Sequence, residues 1–116
     1  MASAKVSASN AEHYNWGTNC EAWYFVRTPE LNIIEERMAS GTSEIAHHHV
    51  HARQFFFVLA GELTMMLEGK DFVLNAGEGL EIAPGELHQA INRGPGAVRF
   101  LVTSQPPSHG DRIDHD

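Results

Sequence analysis

Short apolar runs, each closed off by turn residues, constrain this chain more than any other feature. The runs are WYFV (23–26), LNIIEERM (31–38), QFFFVLA (54–60), ELTMMLE (62–68), DFVLN (71–75), GLEIA (79–83), HQAIN (88–92) and VRFLVTS (98–104). Between them stand Ser40-Gly41, Ala60-Gly61, Glu68-Gly69-Lys70, Ala76-Gly77, Pro84-Gly85 and Gly94-Pro95-Gly96. Runs this short, rich in Val, Ile, Phe and Leu and punctuated by Gly and Pro, read as strands. No segment carries a convincing amphipathic helix. The pattern predicts an all-β fold, an antiparallel sandwich or barrel. Within it, ELTMMLEGKDFVL predicts a hairpin closed at Glu68-Gly69-Lys70. Residues 1–13 are small and polar and read as a loose N-terminal segment, and residues 14–105 as one barrel domain. Residues 106–116, with paired prolines and mixed charge, read as a tail that crosses the surface or hangs free.

Length and charge narrow the functions. A chain of 116 residues is a single domain, able to bury roughly two thirds of its unfolded surface. Its net charge of −7, with no block of Lys or Arg, argues against nucleic acid and against an anionic membrane surface as partners. Cys20 stands alone, which excludes an intrachain disulfide. No stretch approaches the ~20 apolar residues that span a bilayer. MASAKVSASNAEHYNW lacks the apolar core of a signal peptide. The expected location is the cytoplasm.

Residues 46–61 read AHHHVHARQFFFVLAG. On a strand, side chains alternate between faces, so His47 and His49 point one way and His48 the other. Two imidazoles spaced in this way on an inner face can reach one ion. The same HxH spacing also describes a solvated edge. Gln54 shares parity with Phe56 and Val58, so it points inward, where an amide needs a partner. His88 follows Pro84-Gly85 at the start of another strand.

These residues match a known pattern. Gly41, His47, His49, Gln54 and Gly61 are spaced as in the first motif of the cupin superfamily, with Gln54 where the family usually has Glu. GEGLEIAPGELHQAIN (77–92) resembles the second motif, with Ala83 in place of the usual first proline. The resemblance implies a double-stranded β-helix, or jelly-roll, barrel. It also implies one divalent transition metal per chain (Zn, Mn, Fe, Ni or Co), held by His47, His49, Gln54 and His88 with one or two positions left open. Imidazole and amide oxygen suit such ions without choosing among them. Replacing the usual carboxylate by Gln54 leaves the centre more positive, a stronger Lewis acid, and less suited to Fe(II)/Fe(III) oxygen chemistry.

Other residues carry weaker signals. His48 has the wrong parity and is expected at solvent or at a subunit contact. His51 can be a substitute ligand, a proton shuttle near neutral pH, or a surface residue. On LNIIEERM one face carries Ile34, Glu36 and Met38. If that face lines the cavity, Glu36 is a candidate general base, and otherwise it is a solvated charge. Phe56, Val58, Met65 and Leu67 are candidate pocket walls, or simply core. Phe55 and Phe57 fall on the opposite face, an apolar patch that predicts a homodimer, with Trp16, Trp23 and Tyr24 adding to it. The expected function is Lewis-acid isomerase or lyase chemistry on a small polar metabolite. The alternatives are an Fe(II) or Ni(II) dioxygenase and a non-catalytic binding or regulatory module, since a fold does not decide function. The site also resembles cupins that open ring forms of unsaturated uronates. That group would carry an Asp and an aromatic on the last strand and an Arg after the paired prolines. Here VTSQPPSH offers Thr103, Ser104 and Ser108.

Overall fold

The computed structural model describes residues 4–115. It consists of strands β1 (Glu12–Trp16), β2 (Cys20–Arg27), β3 (Asn32–Met38), β4 (His47–His49), β5 (Arg53–Ala60), β6 (Glu62–Leu67), β7 (Lys70–Asn75), β8 (Gly79–Ile82), β9 (His88–Ile91), β10 (Val98–Gln105) and β11 (Arg112–Asp114). No helix occurs among the described residues, so none is long and apolar enough to cross a membrane. The strands form two antiparallel sheets, one in the order β1-β2-β3-β10-β5-β8 and the other β11-β4-β9-β6-β7. The fold is the expected all-β jelly-roll barrel. The predicted hairpin joins β6 to β7 with Leu67 opposite Lys70. Its two connecting residues both take positive φ, 49° at Glu68 and 81° at Gly69. That geometry matches the right-handed twist of the strands it connects.

Register sorts the barrel interior by height. Asn32, Ser104 and Gln54 lie side by side on β3, β10 and β5. The next inward row is Ile34, Val102 and Phe56, and the one below it is Glu36, Phe100 and Val58. Met38 and Val98 close the far end. There Met38, Val58, Leu63, Met65, Val98 and Phe100 are fully buried and form the main core cluster. Close packing of this kind sets the scaffold and leaves the other end of the barrel free for polar groups.

The termini are more ordered than their composition alone requires, and of the two courses expected for the C-terminal residues they take the one across the surface. The segment after Pro107 is not a free tail, because β11 pairs antiparallel with β4, placing Arg112 opposite His49 and Asp114 opposite His47. The Asp111 carboxylate accepts the backbone N–H groups of Val50, His51 and Ala52, at 2.8–3.2 Å. These bonds anchor a segment whose composition alone reads as loose. At the other terminus, β1 begins within the segment expected to be loose and pairs with β2 from Glu12 to Trp16. Tyr24 is buried and Trp16 packs inward against the core, so neither belongs to an outer patch. Trp23, Phe57 and Leu101 do share the outer face of the six-stranded sheet.

Candidate metal centre

The strand β4 is three residues long, with burial alternating as its parity requires. His47 and His49 are buried, and His48 turns outward to meet His115, its Nδ1 2.7 Å from Nε2 of that ring. On the neighbouring β9, His88 lies directly opposite His47. One ring nitrogen from each of His47, His49 and His88 lies within 4.8 Å of the other two. Across the barrel, Gln54 enters the same space from β5 and is also buried. The four residues of the two motifs therefore meet at one place. His51 does not join them. It is exposed, and its backbone N–H is held by Asp111.

Hydrogen bonds determine which nitrogens are free. Nδ1 of His47 lies 2.8 Å from the Ile45 carbonyl, and Nδ1 of His88 lies 2.9 Å from the Glu86 carbonyl. A carbonyl oxygen only accepts, so both Nδ1 atoms carry the proton and both Nε2 atoms keep a lone pair. Nδ1 of His49 is buried with no hydrogen-bond partner. Burial, the main cause, holds all three imidazoles neutral: His47 falls to about 3, His49 to about 4, and His88 also falls below its ordinary value. Neutral imidazole is the metal-binding form.

Gln54 donates from Nε2 to Ser104 Oγ at 3.0 Å, which turns its Oε1 to within 3.1 Å of His88 Nε2. In the tautomer set by Glu86, that nitrogen has no proton to give. Two lone pairs therefore face each other in a buried site. A cation between them relieves the conflict, as does a half turn of the amide. The donor set of neutral imidazoles and one amide oxygen fits a divalent transition ion.

The cavity in front of these groups measures about 230 Å³. Glu36 and Glu44 both line it. Burial is the first cause that raises Glu36 to about 8, with the charge of Glu44 adding to it and Arg112 opposing. Burial likewise raises Glu44 to about 7, partly offset by the Ala90 N–H that its carboxylate accepts at 2.9 Å. The parity that put Glu36 with Ile34 and Met38 thus resolves in favour of the cavity. Tyr14 and Phe56 contribute to the wall. Val58, Met65 and Leu67 are not among its lining residues: Val58 and Met65 are fully buried in the apolar cluster, and Leu67 packs against it. Their inward parity marks them as core.

Among the lining residues that sequence reasoning missed, Tyr14, Glu44, His109 and Arg112 carry polar or charged groups. Glu44 precedes β4 outside any named strand, so alternation gives it no direction. His109 and Arg112 come from the segment read as a tail, which is held over the cavity by a hydrogen bond between His109 Nε2 and the Tyr24 hydroxyl. Ser104 and Ser108 face the cavity, whereas Thr103 lies in the outward register beside Phe55.

Comparison with known proteins agrees with this architecture. The family model for the cupin domain matches residues 34–104, and the chain belongs to that family. An uncharacterised protein of Methanocaldococcus jannaschii is 27% identical over 81 residues, covering 69% of this chain and 65% of the relative. The chain spans between 34% and 65% of the length of the curated relatives it matches. Among solved structures, the polyketide cyclase RemF from Streptomyces resistomycificus superposes with a TM-score of 0.84 at 16% identity, covering 99% of this chain and 87% of that one. A cupin sugar phosphate isomerase from Silicibacter pomeroyi gives 0.79 at 16% identity, covering 90% of this chain and 76% of that one. At these identities the likeness is one of fold.

Proposed function

We propose that this cupin is a metal-dependent enzyme of the isomerase or lyase type, acting on a small polar metabolite. The observation that carries the reading is the convergence of neutral His47, His49 and His88 with the Gln54 oxygen turned toward a ring nitrogen that cannot donate. A divalent ion held there supplies Lewis-acid polarisation of a carbonyl or hydroxyl oxygen. The chain supplies the proton transfer. Glu36 and Glu44 lie in the same cavity, and carboxyls raised to about 8 and 7 can both take and return a proton near neutral pH. At about 230 Å³ the cavity lies below the ~300–1,000 Å³ of drug-sized sites, which favours a small metabolite. The neutral Gln54 supports non-redox chemistry over dioxygenation. The structural neighbours named as an isomerase and a cyclase share the fold, so the choice of reaction rests on the site.

The test has two stages. Protein stripped of metal should gain melting temperature on addition of Zn²⁺, Mn²⁺ or Ni²⁺, with close to one ion bound per chain, and absence of both effects ends the metal reading. The metal-loaded protein, incubated in D₂O with a panel of small hydroxy-carbonyl and sugar-acid compounds, should then catalyse deuterium uptake next to a carbonyl. Glu36→Gln should slow that uptake by on the order of 100-fold or more. Oxygen consumption by the Fe(II)-loaded protein, without such exchange, would establish the dioxygenase alternative instead. Ligand binding with neither activity would point to a binding module.

The same proposal includes a homodimer. Phe55, 44% exposed, stacks with Phe57 on the outer face that also carries Trp23 and Leu101. A second copy covers such a patch most simply. Light scattering should return twice the chain mass, and Phe55→Glu should return the single mass.

A further inference from the structure

We propose that residues 106–110 are a flap over the cavity, latched by His109 to Tyr24, through whose opening small metabolites enter. The chain leaves the six-stranded sheet at Gln105, the end of β10, and joins the five-stranded sheet at Arg112, the start of β11. Between those points it crosses from one sheet to the other, and Ser108, His109 and Gly110 form part of the cavity wall. The rest of the wall is firmly built. Every other lining residue belongs to a strand except Glu44, whose N–H is bonded to the Ala90 carbonyl at 3.1 Å.

The crossing segment is held unevenly. Beyond it, Asp111 accepts three backbone N–H groups and β11 pairs with β4, so that end is fixed. Among the described residues, the only backbone hydrogen bond of 106–110 runs from the Asp111 N–H to the Ser108 carbonyl, at 3.2 Å. It ties the segment to its own anchor and not to the barrel. The one side-chain hydrogen bond from the segment to the barrel joins His109 Nε2 to the Tyr24 hydroxyl. Either group can be the donor, and the contact holds in both cases. Tyr24 makes a rigid catch. It is buried, its ring lies 5.5 Å from that of Tyr14, and the Arg27 guanidinium sits 4.5 Å over its face. His109, in contrast, is exposed, and Gly110 after it takes a φ of 77° with open space beside it. Glycine adopts that turn without steric cost and lets the chain pivot next to its anchor. Breaking one hydrogen bond thus frees the one part of the wall that no strand holds. Closed, the flap keeps water from the reacting group, and open, it passes substrate and product.

A thiol placed inside the cavity measures access to it. Ala90→Cys puts one on the buried wall, and the metal-free chain is treated with iodoacetamide. Cys20, buried and not among the lining residues, reports any general loosening. Tyr24→Phe, which deletes only the hydroxyl, should speed alkylation at position 90 by about threefold to tenfold, the weight of one hydrogen bond. His109→Ala, at an exposed position, should do the same, and the two together should do no more than either alone. Alkylation of Cys20 and amide exchange at 50–52 should keep their parent rates, because the Asp111 anchor is untouched. No acceleration in either variant would overturn the latch. Equal acceleration at Cys20, or faster exchange at 50–52, would overturn the flap in favour of a loosened fold. Because no metal is present, the latch and the metal reading stand or fall separately.

Discussion

Along β5 the inward side chains run Gln54, Phe56, Val58, and along β10 beside it Ser104, Val102, Phe100, Val98. The same two strands thus furnish a polar end and an apolar end of one barrel interior. At the apolar end, packing is the whole story: Val58 and Val98 are fully buried in the core cluster and need no hydrogen bond. At the polar end, every buried group must be accounted for. The Gln54 amide nitrogen is satisfied by Ser104, and Nδ1 of His47 and of His88 by backbone carbonyls. What remains there is a Gln54 oxygen facing a His88 nitrogen with no proton between them, beside a His49 Nδ1 without a partner. The contrast shows that burial by itself does not identify a site. Unspent bonding capacity at a buried place does.

The contrast can be broken from either end. The largest effect is expected from His88→Ala, which should abolish the metal-dependent rise in melting temperature. Metal affinity should fall by more than the ~10–100-fold that loss of a supporting partner costs. Leu63→Ala, in the apolar cluster and off the cavity wall, should cost about 2–5 kcal/mol of unfolding free energy in denaturant titration, with metal stoichiometry unchanged. If it also removes the metal, the two ends are not separable.

An intermediate effect concerns pH. An unperturbed histidine, at 6.5, surrenders a metal as pH falls through that value, whereas His47 and His49 hold out to about 3 and 4. The metal-dependent melting shift should therefore be nearly as large at pH 5 as at pH 7. In the metal-free protein the signs oppose. The folded histidines bind fewer protons than the unfolded chain between about 3 and 6.5, so their contribution to stability grows with rising pH in that window. Glu36 binds more protons folded than unfolded between 4.5 and about 8, so its contribution shrinks with rising pH there. Glu36→Gln should therefore flatten the alkaline side of the stability profile measured by thermal melts.

The smallest effect is expected from His48→Ala, which should leave the metal shift intact and stability within about 0.5 kcal/mol. If His48→Ala behaves like His88→Ala, the alternation of β4 is wrong.

Much of this was legible from residue order. Apolar runs and turn residues place eight of the eleven strands among the described residues, and the resemblance of the two motifs to the cupin pattern implies that His47, His49, Gln54 and His88 meet. Period-two parity correctly separates His47 from His48 and Phe56 from Phe55. Parity carries no information about height, however. Nor can it tell that Phe56 and Glu36 line the cavity while Val58 and Met65, equally inward, are closed off in the apolar cluster. β1 and β11 are short and polar, and what makes them strands is a partner, the neighbouring β2 for β1 and the sequence-distant β4 for β11. For the same reason His109 and Arg112 gave no local sign of their place in the cavity wall.

The three N–H groups gathered by Asp111 have a consequence for how the molecule opens. They belong to residues 50–52, the link between the histidine strand and Gln54, while Asp111 belongs to the last strand's approach. Neither segment can fray without releasing the other. Amide protons at 50–52 should thus exchange with solvent together with those of 112–114, as one cooperative unit. A cut or deletion far along the chain, after Pro107, would then be felt first as slack between two donors of the centre.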